Sequence, residues 1–234
     1  MREIVFDTET TGLDPKRDRV IEIGGIELEN RFPTGRTFHV YINPQGTRVH
    51  PDAQAVHGIS NEDLADKPVF GDILEDFLGF FDGAKFVAHN AGFDMGFINA
   101  ELARVGRPPV DPAFVVDTLA LARRKHPMGP NSLDALCRRY AIDNSHRTLH
   151  GALLDAELLA EVYIEMVGGK QAALGLEVRA NTDVAQPGRP ASKAVLLSAR
   201  PQPLPPRLTD DEITAHAKMI ELLGEDALWK KAGS

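Results

Sequence analysis

Two carboxylates, Asp7 and Glu9, come directly after the apolar run Ile4-Val5-Phe6, which predicts a buried strand. Side chains two positions apart on a strand point to the same face. Asp7 and Glu9 would therefore share one place at the end of a core strand. There each raises the pKa of the other unless a divalent cation is bound. The alternative is a strand that runs into an ordinary polar turn, because residues 10–15 have turn composition.

Two more carboxylates stand beside the apolar stripes of predicted helices. Asp94 is followed by Phe97 and Ile98 at helical spacing, and Asp155 shares a face with Leu158 in the same way. A buried carboxylate is costly, so it is normally paired with a cation or bound to a metal ion. For each residue alone, the alternative is a local ion pair or the favourable field of a helix N-terminus.

Together, Asp7, Glu9, Asp94 and Asp155 form an all-oxygen ligand set. Carboxylate oxygens without cysteine suit Mg²⁺ or Mn²⁺ rather than zinc. A carboxylate cluster that holds two such ions is typical of a two-metal site for phosphoryl transfer. One ion activates water, and the other stabilises the leaving oxygen of an in-line displacement.

His150 is the candidate for the group that takes the proton from water. It lies five residues before Asp155, and Gly151 predicts that His150 is on a loop just before the helix, over the site. Histidine titrates near neutral pH and suits general-base catalysis. Most single histidines are merely exposed or hydrogen-bonded, and we interpret four others in that way: His39, His50, His126 and His146.

The composition indicates a globular protein with a substantial core. Of 234 residues, 43% are hydrophobic and 26% are charged, and the single cysteine, Cys137, excludes a disulfide framework and a cysteine-rich zinc site. We find no signal-peptide pattern or membrane-spanning stretch and expect a cytoplasmic protein.

The formal net charge of −8 is unusual for a protein that holds a long nucleic-acid backbone alone. The chain therefore either does not bind nucleic acid, or contacts few nucleotides and borrows charge from metal ions and a partner.

The order of the predicted elements favours an α/β fold. Strands are predicted at residues 4–6, 20–28, 37–42, 85–90 and 114–118. Helices are predicted at residues 70–81, 93–105, 119–124, 133–140 and 151–167, with a further helix start at Ser60-Asn61-Glu62-Asp63. Three strands with short links, followed by strands that alternate with helices, predict a mixed five-stranded sheet. It would be antiparallel at one side, parallel at the other and covered by helices on both faces.

The composition changes beyond the last of these helices. Six prolines predict an extended linker at residues 169–207. A capping box at Thr209-Asp210-Asp211-Glu212 then begins a helix with Ile213 and Ile220 on one stripe, and Trp229 follows. A lone amphipathic helix beyond a linker either docks on a partner protein or folds back on its own domain.

Three motifs resemble those of the DEDDh family of 3′→5′ exonucleases, in order and spacing as well as in residue type. They are Asp7-Thr8-Glu9-Thr10-Thr11-Gly12, His89-Asn90-Ala91-Gly92-Phe93-Asp94, and the segment from His150 to Asp155. Similarity to the proofreading members of this family extends over nearly all of the first 167 residues, including residues 56–59 and 131–137.

The resemblance implies a ribonuclease H-like exonuclease domain at residues 1–168. It also implies that two divalent metal ions, Mg²⁺ or Mn²⁺, bind to Asp7, Glu9, Asp94 and Asp155. These four ligands, together with the base His150, would form the catalytic set.

The same resemblance implies the substrate, which is the 3′ end of single-stranded or frayed DNA. Residues that line the nucleotide pocket in the family match His57 and Asp52, and these would bind the substrate together with Asp7, Glu9 and Asp155.

The tail resembles partner-binding segments of the same family. Residues 171–176 are similar to a short motif that contacts the sliding clamp, through Gln171, Leu174 and Leu176. Residues 208–234 resemble a segment that docks on the catalytic subunit of a replicative polymerase, through Ile213, Ile220 and Trp229. A further small subunit on the exonuclease domain is a candidate partner that the sequence leaves open.

These expectations combine into a metal-dependent 3′→5′ exodeoxyribonuclease that proofreads during replication and releases nucleoside monophosphates. One alternative is a free-standing exoribonuclease of the same fold, which would have no need of the linker and partner helix. The other is a structural adaptor between polymerase and clamp, which would gain nothing from clustered carboxylates. Turnover of DNA and RNA oligonucleotides of the same sequence distinguishes the two nucleases.

Overall fold

A five-stranded mixed sheet organises the N-terminal part of the chain. The computed structural model describes residues 1–168 and 209–223, which belong to two separate units. The strands are β1 (Arg2–Thr10), β2 (Val20–Glu29), β3 (Phe32–Tyr41), β4 (Lys85–Ala88) and β5 (Val115–Asp117). The helices are α1 (Pro51–His57), α2 (Phe70–Phe81), α3 (Gly92–Arg104), α4 (Thr118–Lys125), α5 (Leu133–Tyr140), α6 (Ala152–Met166) and α7 (Asp210–Leu223), with a 3₁₀ turn at Pro112–Phe114.

The strand order places β1 at the centre of the sheet. The order is β3-β2-β1-β4-β5, in which β1 pairs antiparallel with β2 and parallel with β4. The outer pairs continue each pattern, since β2 and β3 are antiparallel and β4 and β5 are parallel. The predicted mixed sheet is confirmed. In such a sheet, ligands bind beyond the carboxyl ends of the parallel strands, here β1 and β4.

Alternate residues of β1 contribute to two cores on opposite faces of the sheet. Ile4 and Phe6 pack with α2 and α3, in a cluster where the rings of Phe77 and Phe81 stack with centroids 4.5 Å apart. Val5 packs on the other face with residues of α6. Because burial of each large apolar side chain contributes about 1.5–3 kcal/mol, β1 is held firmly from both sides.

The first turn of α6 lies directly against β2. A Cβ atom on Gly24 would be 2.2 Å from the backbone nitrogen of Leu153, so only glycine permits this close approach. Glu22 lies opposite Glu9 in the β1–β2 ladder, and its Oε2 atom accepts a hydrogen bond from the Ala152 N–H at 3.1 Å. These contacts fix the start of α6 beside the end of β1.

The helix predicted to start at residue 60 does not form, so that prediction is wrong. The capping contacts exist, because the N–H and Oγ of Ser60 donate to Asp63 Oδ2 at 2.9 and 2.7 Å. Residues 61–66 nevertheless form only turns. Pro68 prevents a helix from continuing, and one buried apolar residue, Leu64, does not make an apolar stripe.

Helix α7 is the described part of the second unit, and its predicted capping box is formed. The Thr209 N–H donates to Glu212 Oε2 at 2.8 Å, and the Glu212 N–H donates to Thr209 Oγ1 at 3.3 Å. The linker predicted at residues 169–207 lies outside the described residues. Within residues 1–168 and 209–223, none of the helices combines the length and the apolar composition that a membrane span requires.

We expect Gly24→Ala to destabilise the protein by about 1–3 kcal/mol, because the new methyl group meets backbone atoms that cannot move aside. Gly79→Ala in α2 is the control, since a Cβ atom there would meet nothing within 4 Å. Alanine in a helix interior is favoured over glycine by roughly 0.5–1 kcal/mol, so the control should be neutral or stabilising. Urea unfolding measures both variants, and an unchanged midpoint for Gly24→Ala would contradict the packing argument.

Candidate active site

A cleft of about 300 Å³ collects all five predicted catalytic residues. Strand β1 contributes Asp7 and Glu9, the first turn of α3 contributes Asp94, and the first turn of α6 contributes Asp155. His150 enters the cleft from the loop that precedes α6, as its spacing predicts. Residues that are up to 148 positions apart thus meet at the carboxyl end of the parallel strands.

Asp94 is held in place by hydrogen bonds to β1. Its side chain is buried, and its Oδ1 atom accepts from the Thr8 N–H at 3.1 Å and from Thr8 Oγ1 at 2.8 Å. These bonds tie the first turn of α3 to the central strand. They fix the Asp94 carboxylate relative to its neighbours Asp7 and Glu9.

Burial raises the pKa of three carboxylates, and repulsion from neighbouring carboxylates adds to the effect. Loss of water is the main cause in each case. It raises the pKa of Glu9 to about 8, with further repulsion from Glu22, and the pKa of Asp94 to about 7. The pKa of Asp7 lies well above its ordinary value through burial and repulsion from Asp94 and Glu9. A bound cation would relieve this repulsion.

Asp155 differs from the other carboxylates because Arg147 is paired with it. Burial raises the pKa of Asp155, but hydrogen bonds from Arg147 and His150 outweigh that effect and hold the pKa below its ordinary value. Arg147 Nη2 donates to Asp155 Oδ2 at 2.7 Å, and Nε donates to Oδ1. His150 Nδ1 lies 3.3 Å from Asp155 Oδ2, and its ring is half exposed at the mouth of the cleft.

The donor set fits a divalent metal ion. Ligand atoms of Glu9, His150 and Asp155 lie within 4.8 Å of one another. Asp7 and Asp94 add carboxylate oxygens to the same cleft, and their raised pKa values show that the protein alone stabilises their charged forms poorly. Oxygen-rich sites of this kind suit hard cations.

Two further residues predicted to bind substrate lie outside this cleft. His57, at the end of α1, is buried and lines a neighbouring cavity of about 640 Å³ with Leu149. The His150 N–H donates to the Val56 carbonyl at 3.1 Å, so both cavities adjoin the same loop. The Asp52 side chain is 94% exposed and lines neither cavity. The geometry therefore gives His57, but not Asp52, a place beside the site.

The predicted partner-binding residues are only partly described. Ile213 and Ile220 lie on α7, where Ile213 is exposed and Ile220 partly so. Four others lie outside the described residues: Gln171, Leu174, Leu176 and Trp229.

Two residues that interact with the predicted catalytic residues are not predicted from the sequence. Arg147 precedes His150 by three positions and lies outside the motif from His150 to Asp155, so the motif does not indicate its role. Glu22 is buried between Ile21 and Ile23, where strand alternation sets it apart from its apolar neighbours. Its Oε1 atom contacts His39 Nε2 at 2.7 Å, so it connects β3, β2 and α6.

A larger cavity, of about 740 Å³, lies elsewhere and has a different character. It adjoins α2 and α3, and apolar residues such as Phe77 and Phe114 dominate its lining. None of the five predicted catalytic residues lines it. Cavity size alone therefore does not identify the site with the chemistry.

Sequence comparisons identify a protein family and several relatives that this chain resembles. The family model described as Exonuclease matches residues 4–163. The DNA polymerase III subunit epsilon of Salmonella typhimurium is 44% identical over 240 residues, which covers 98% of this chain and 97% of the relative. The subunit of the same name from Rickettsia felis is 52% identical over 178 residues, covering 74% of this chain and 77% of the relative.

Solved structures have the same fold. Exonuclease X in complex with 5′ overhanging duplex DNA is 27% identical with a TM-score of 0.53, covering 71% of this chain and 90% of that chain. The nuclease domain of a DEDDh-family 3′ exonuclease bound to rAMP is 17% identical with a TM-score of 0.59, covering 71% and 91%. The expected ribonuclease H-like α/β fold is confirmed.

The raised pKa of Glu9 predicts that, when divalent ions are chelated, Glu9 makes the folded protein less stable as the pH rises. The pKa of Glu9 is raised from its ordinary value of 4.5 to about 8 in the folded state, which therefore binds the proton more tightly than the unfolded state does. Its contribution to stability is therefore lost as the pH rises through that window. Glu9→Gln stays neutral, so its stability relative to the wild type should increase from pH 5 to pH 8.

Urea unfolding in EDTA at several pH values measures this difference. The comparison cancels the titration of histidines, which both proteins share. A Glu9→Gln stability difference that is constant from pH 5 to pH 8 would contradict the raised pKa.

Proposed function

The chain belongs to the exonuclease family, among the DNA polymerase III epsilon subunits, and we propose that the constellation in the cleft carries out its catalysis. It is a 3′→5′ exonuclease that proofreads for DNA polymerase III. The observation that supports our assignment of the site is the meeting of four carboxylates and a histidine from four separate elements. The five residues to which we assign catalytic roles are Asp7, Glu9, Asp94, His150 and Asp155.

Catalysis in this family depends on divalent metal ions. We assign Asp7, Glu9, Asp94 and Asp155 as ligands of two such ions, Mg²⁺ or Mn²⁺, on the basis of their oxygen donors and their crowding. When bound, the ions supply positive charge that activates water and stabilises the charge that builds on the phosphate. This charge also offsets the repulsion among the buried carboxylates.

His150 is the general base in this proposal. It takes a proton from the attacking water as the water oxygen bonds to phosphorus. The bond from phosphorus to the 3′ oxygen of the preceding nucleotide breaks, and that oxygen takes up a proton. The products are a nucleoside 5′-monophosphate and a strand with a new 3′ hydroxyl. The half-exposed ring at the mouth of the cleft can pass the proton on to solvent.

The substrate in this proposal is the 3′ end of single-stranded or frayed DNA. Asp7, Glu9 and Asp155 line the cleft, and His57 lines the adjoining cavity, so a terminal nucleotide could contact all four. A mismatched end separates from its template more easily than a paired end, which favours its removal. A short contact with one strand end is compatible with the net charge of −8.

The partners of the tail complete the proposal. Residues 208–234 would bind the alpha (catalytic) subunit of DNA polymerase III, and residues 171–176 would bind the sliding clamp. The exposed apolar side chains of α7, which include Ile213, Met219 and Leu222, support the first assignment. The polymerase and clamp would then supply most of the affinity for DNA.

Asp7→Ala should lower the rate of 3′-mismatched primer degradation by roughly 10³-fold or more, because the removed group acts together with the rest of the site. Asp76→Ala, on the exposed face of α2, is the matched control and should retain wild-type activity. Near-normal hydrolysis of single-stranded DNA by folded Asp7→Ala protein would refute the assignment. Faster turnover of RNA than of DNA by the wild type would favour the exoribonuclease instead.

A chain that ends at residue 168 should keep its activity on single-stranded DNA and lose co-purification with the polymerase alpha subunit. In the full chain, Ile213→Glu should weaken that binding because it places a charge on the apolar stripe of α7. Glu221→Gln on the same helix is the control and should bind normally. Firm binding of the shortened chain would show that the tail is not the docking segment.

A further inference from the structure

Arg147 is the one cation in contact with the cleft carboxylates of the described residues. Its side chain is only 9% exposed, and it lies on the segment between α5 and α6. Nε and Nη2 form a fork on the two oxygens of Asp155, and Nη2 also lies 2.9 Å from His150 Nδ1. The guanidinium thus contacts two of the residues to which we assign catalytic roles.

The fork engages both oxygens of Asp155. A bidentate arginine–carboxylate pair is strong and directional, and a divalent ion needs the lone pairs of the same oxygens. A divalent ion bound to Asp155 would also lie close to the Arg147 guanidinium, and the two positive charges would repel each other. Asp155 therefore cannot pair fully with Arg147 and ligate a metal ion with both oxygens at the same time.

Arg147 has a second anchor outside the carboxylate cluster. Its Nη1 atom lies 3.1 Å from Oδ1 of Asp134, in the first turn of α5, and the Asp134 side chain is 46% exposed. Asp134 Oδ1 also accepts from Asn144 Nδ2 at 2.9 Å, which fixes its orientation. If Asp155 binds a metal ion instead, the guanidinium therefore keeps Asp134 as its ionic partner.

We propose that Arg147 is a built-in counterion that competes with the divalent metal ion for Asp155 and thereby sets the affinity of the site for that ion. Arg147 is a positioning residue, because it acts through Asp155 and His150. The inference rests on the proposed metal role of Asp155. By linkage, whatever Arg147 gains from Asp155 is subtracted from the binding free energy of the metal ion.

The test is Mn²⁺ binding to the full chain, measured by isothermal titration calorimetry without substrate. Arg147→Met removes the charge and the fork, whereas Arg147→Lys keeps the charge and removes the fork. We expect Mn²⁺ to bind roughly fivefold tighter or more to Arg147→Met, with Arg147→Lys between it and the wild type. If Arg147→Met does not fold, the lysine variant alone decides.

Arg19→Lys is the matched control. Arg19 is 11% exposed and forms a similar fork on Glu101, at 2.7 and 2.9 Å, outside the cleft. It reports the effect of breaking a buried arginine–carboxylate pair elsewhere, and its Mn²⁺ affinity should equal that of the wild type.

Two results would overturn the inference. Weaker Mn²⁺ binding in both Arg147 variants would mean that Arg147 builds the metal site, and unchanged Mn²⁺ affinity in both would mean that Arg147 does not compete with the ion. Asp155→Asn separates this failure from that of the proposed function. If Asp155→Asn leaves Mn²⁺ affinity unchanged, the metal role of Asp155 is wrong and the inference falls with it. If Asp155→Asn weakens binding, the Arg147 variants test the inference alone.

Discussion

Repulsion between carboxylates that are forced together in a buried cleft is the constraint on which the structure depends. The pKa values of Asp7, Glu9 and Asp94 are raised, mainly by loss of water, and the nearby charge of Arg147 only partly offsets this effect at Asp7 and Glu9. Such a cluster lowers the stability of the fold by itself, since each ionised group adds to the cost of the next. In our proposal, bound divalent cations offset this repulsion.

The scaffold must therefore be stiff enough to hold groups that repel each other. Strand β1 is packed from both faces, which fixes Asp7 and Glu9. Hydrogen bonds from Thr8 hold the first turn of α3, and Glu22 with Gly24 holds the first turn of α6. Each anchor is local to one helix start, so the active geometry depends on a few contacts between helix N-termini and the central strands.

Local spacing was sufficient to predict much of this architecture. The apolar stripe of α2, the alternation along β1 and the carboxylates beside helical stripes each arise from neighbours within a few residues. The division of the sheet into an antiparallel and a parallel side followed from the lengths of the links. The same local logic failed at Ser60, where the capping contacts form but Pro68 and the lack of an apolar stripe leave only turns.

The roles of Arg147 and Glu22 could not be predicted because they depend on partners that are distant in the sequence and that the fold brings together. Glu22 faces Glu9 only through the register of the β1–β2 ladder, and Arg147 meets Asp134 only when α5 and α6 pack.

The most direct test of the central claim, that the cleft carboxylates hold divalent ions, is anomalous diffraction from crystals containing Mn²⁺ and a nucleoside monophosphate. The account predicts anomalous peaks inside the cleft, at a coordination distance of about 2 Å from carboxylate oxygens of Asp7, Glu9, Asp94 and Asp155. Anomalous peaks that lie only outside the cleft, with the nucleotide bound and the four carboxylates free of metal, would contradict it.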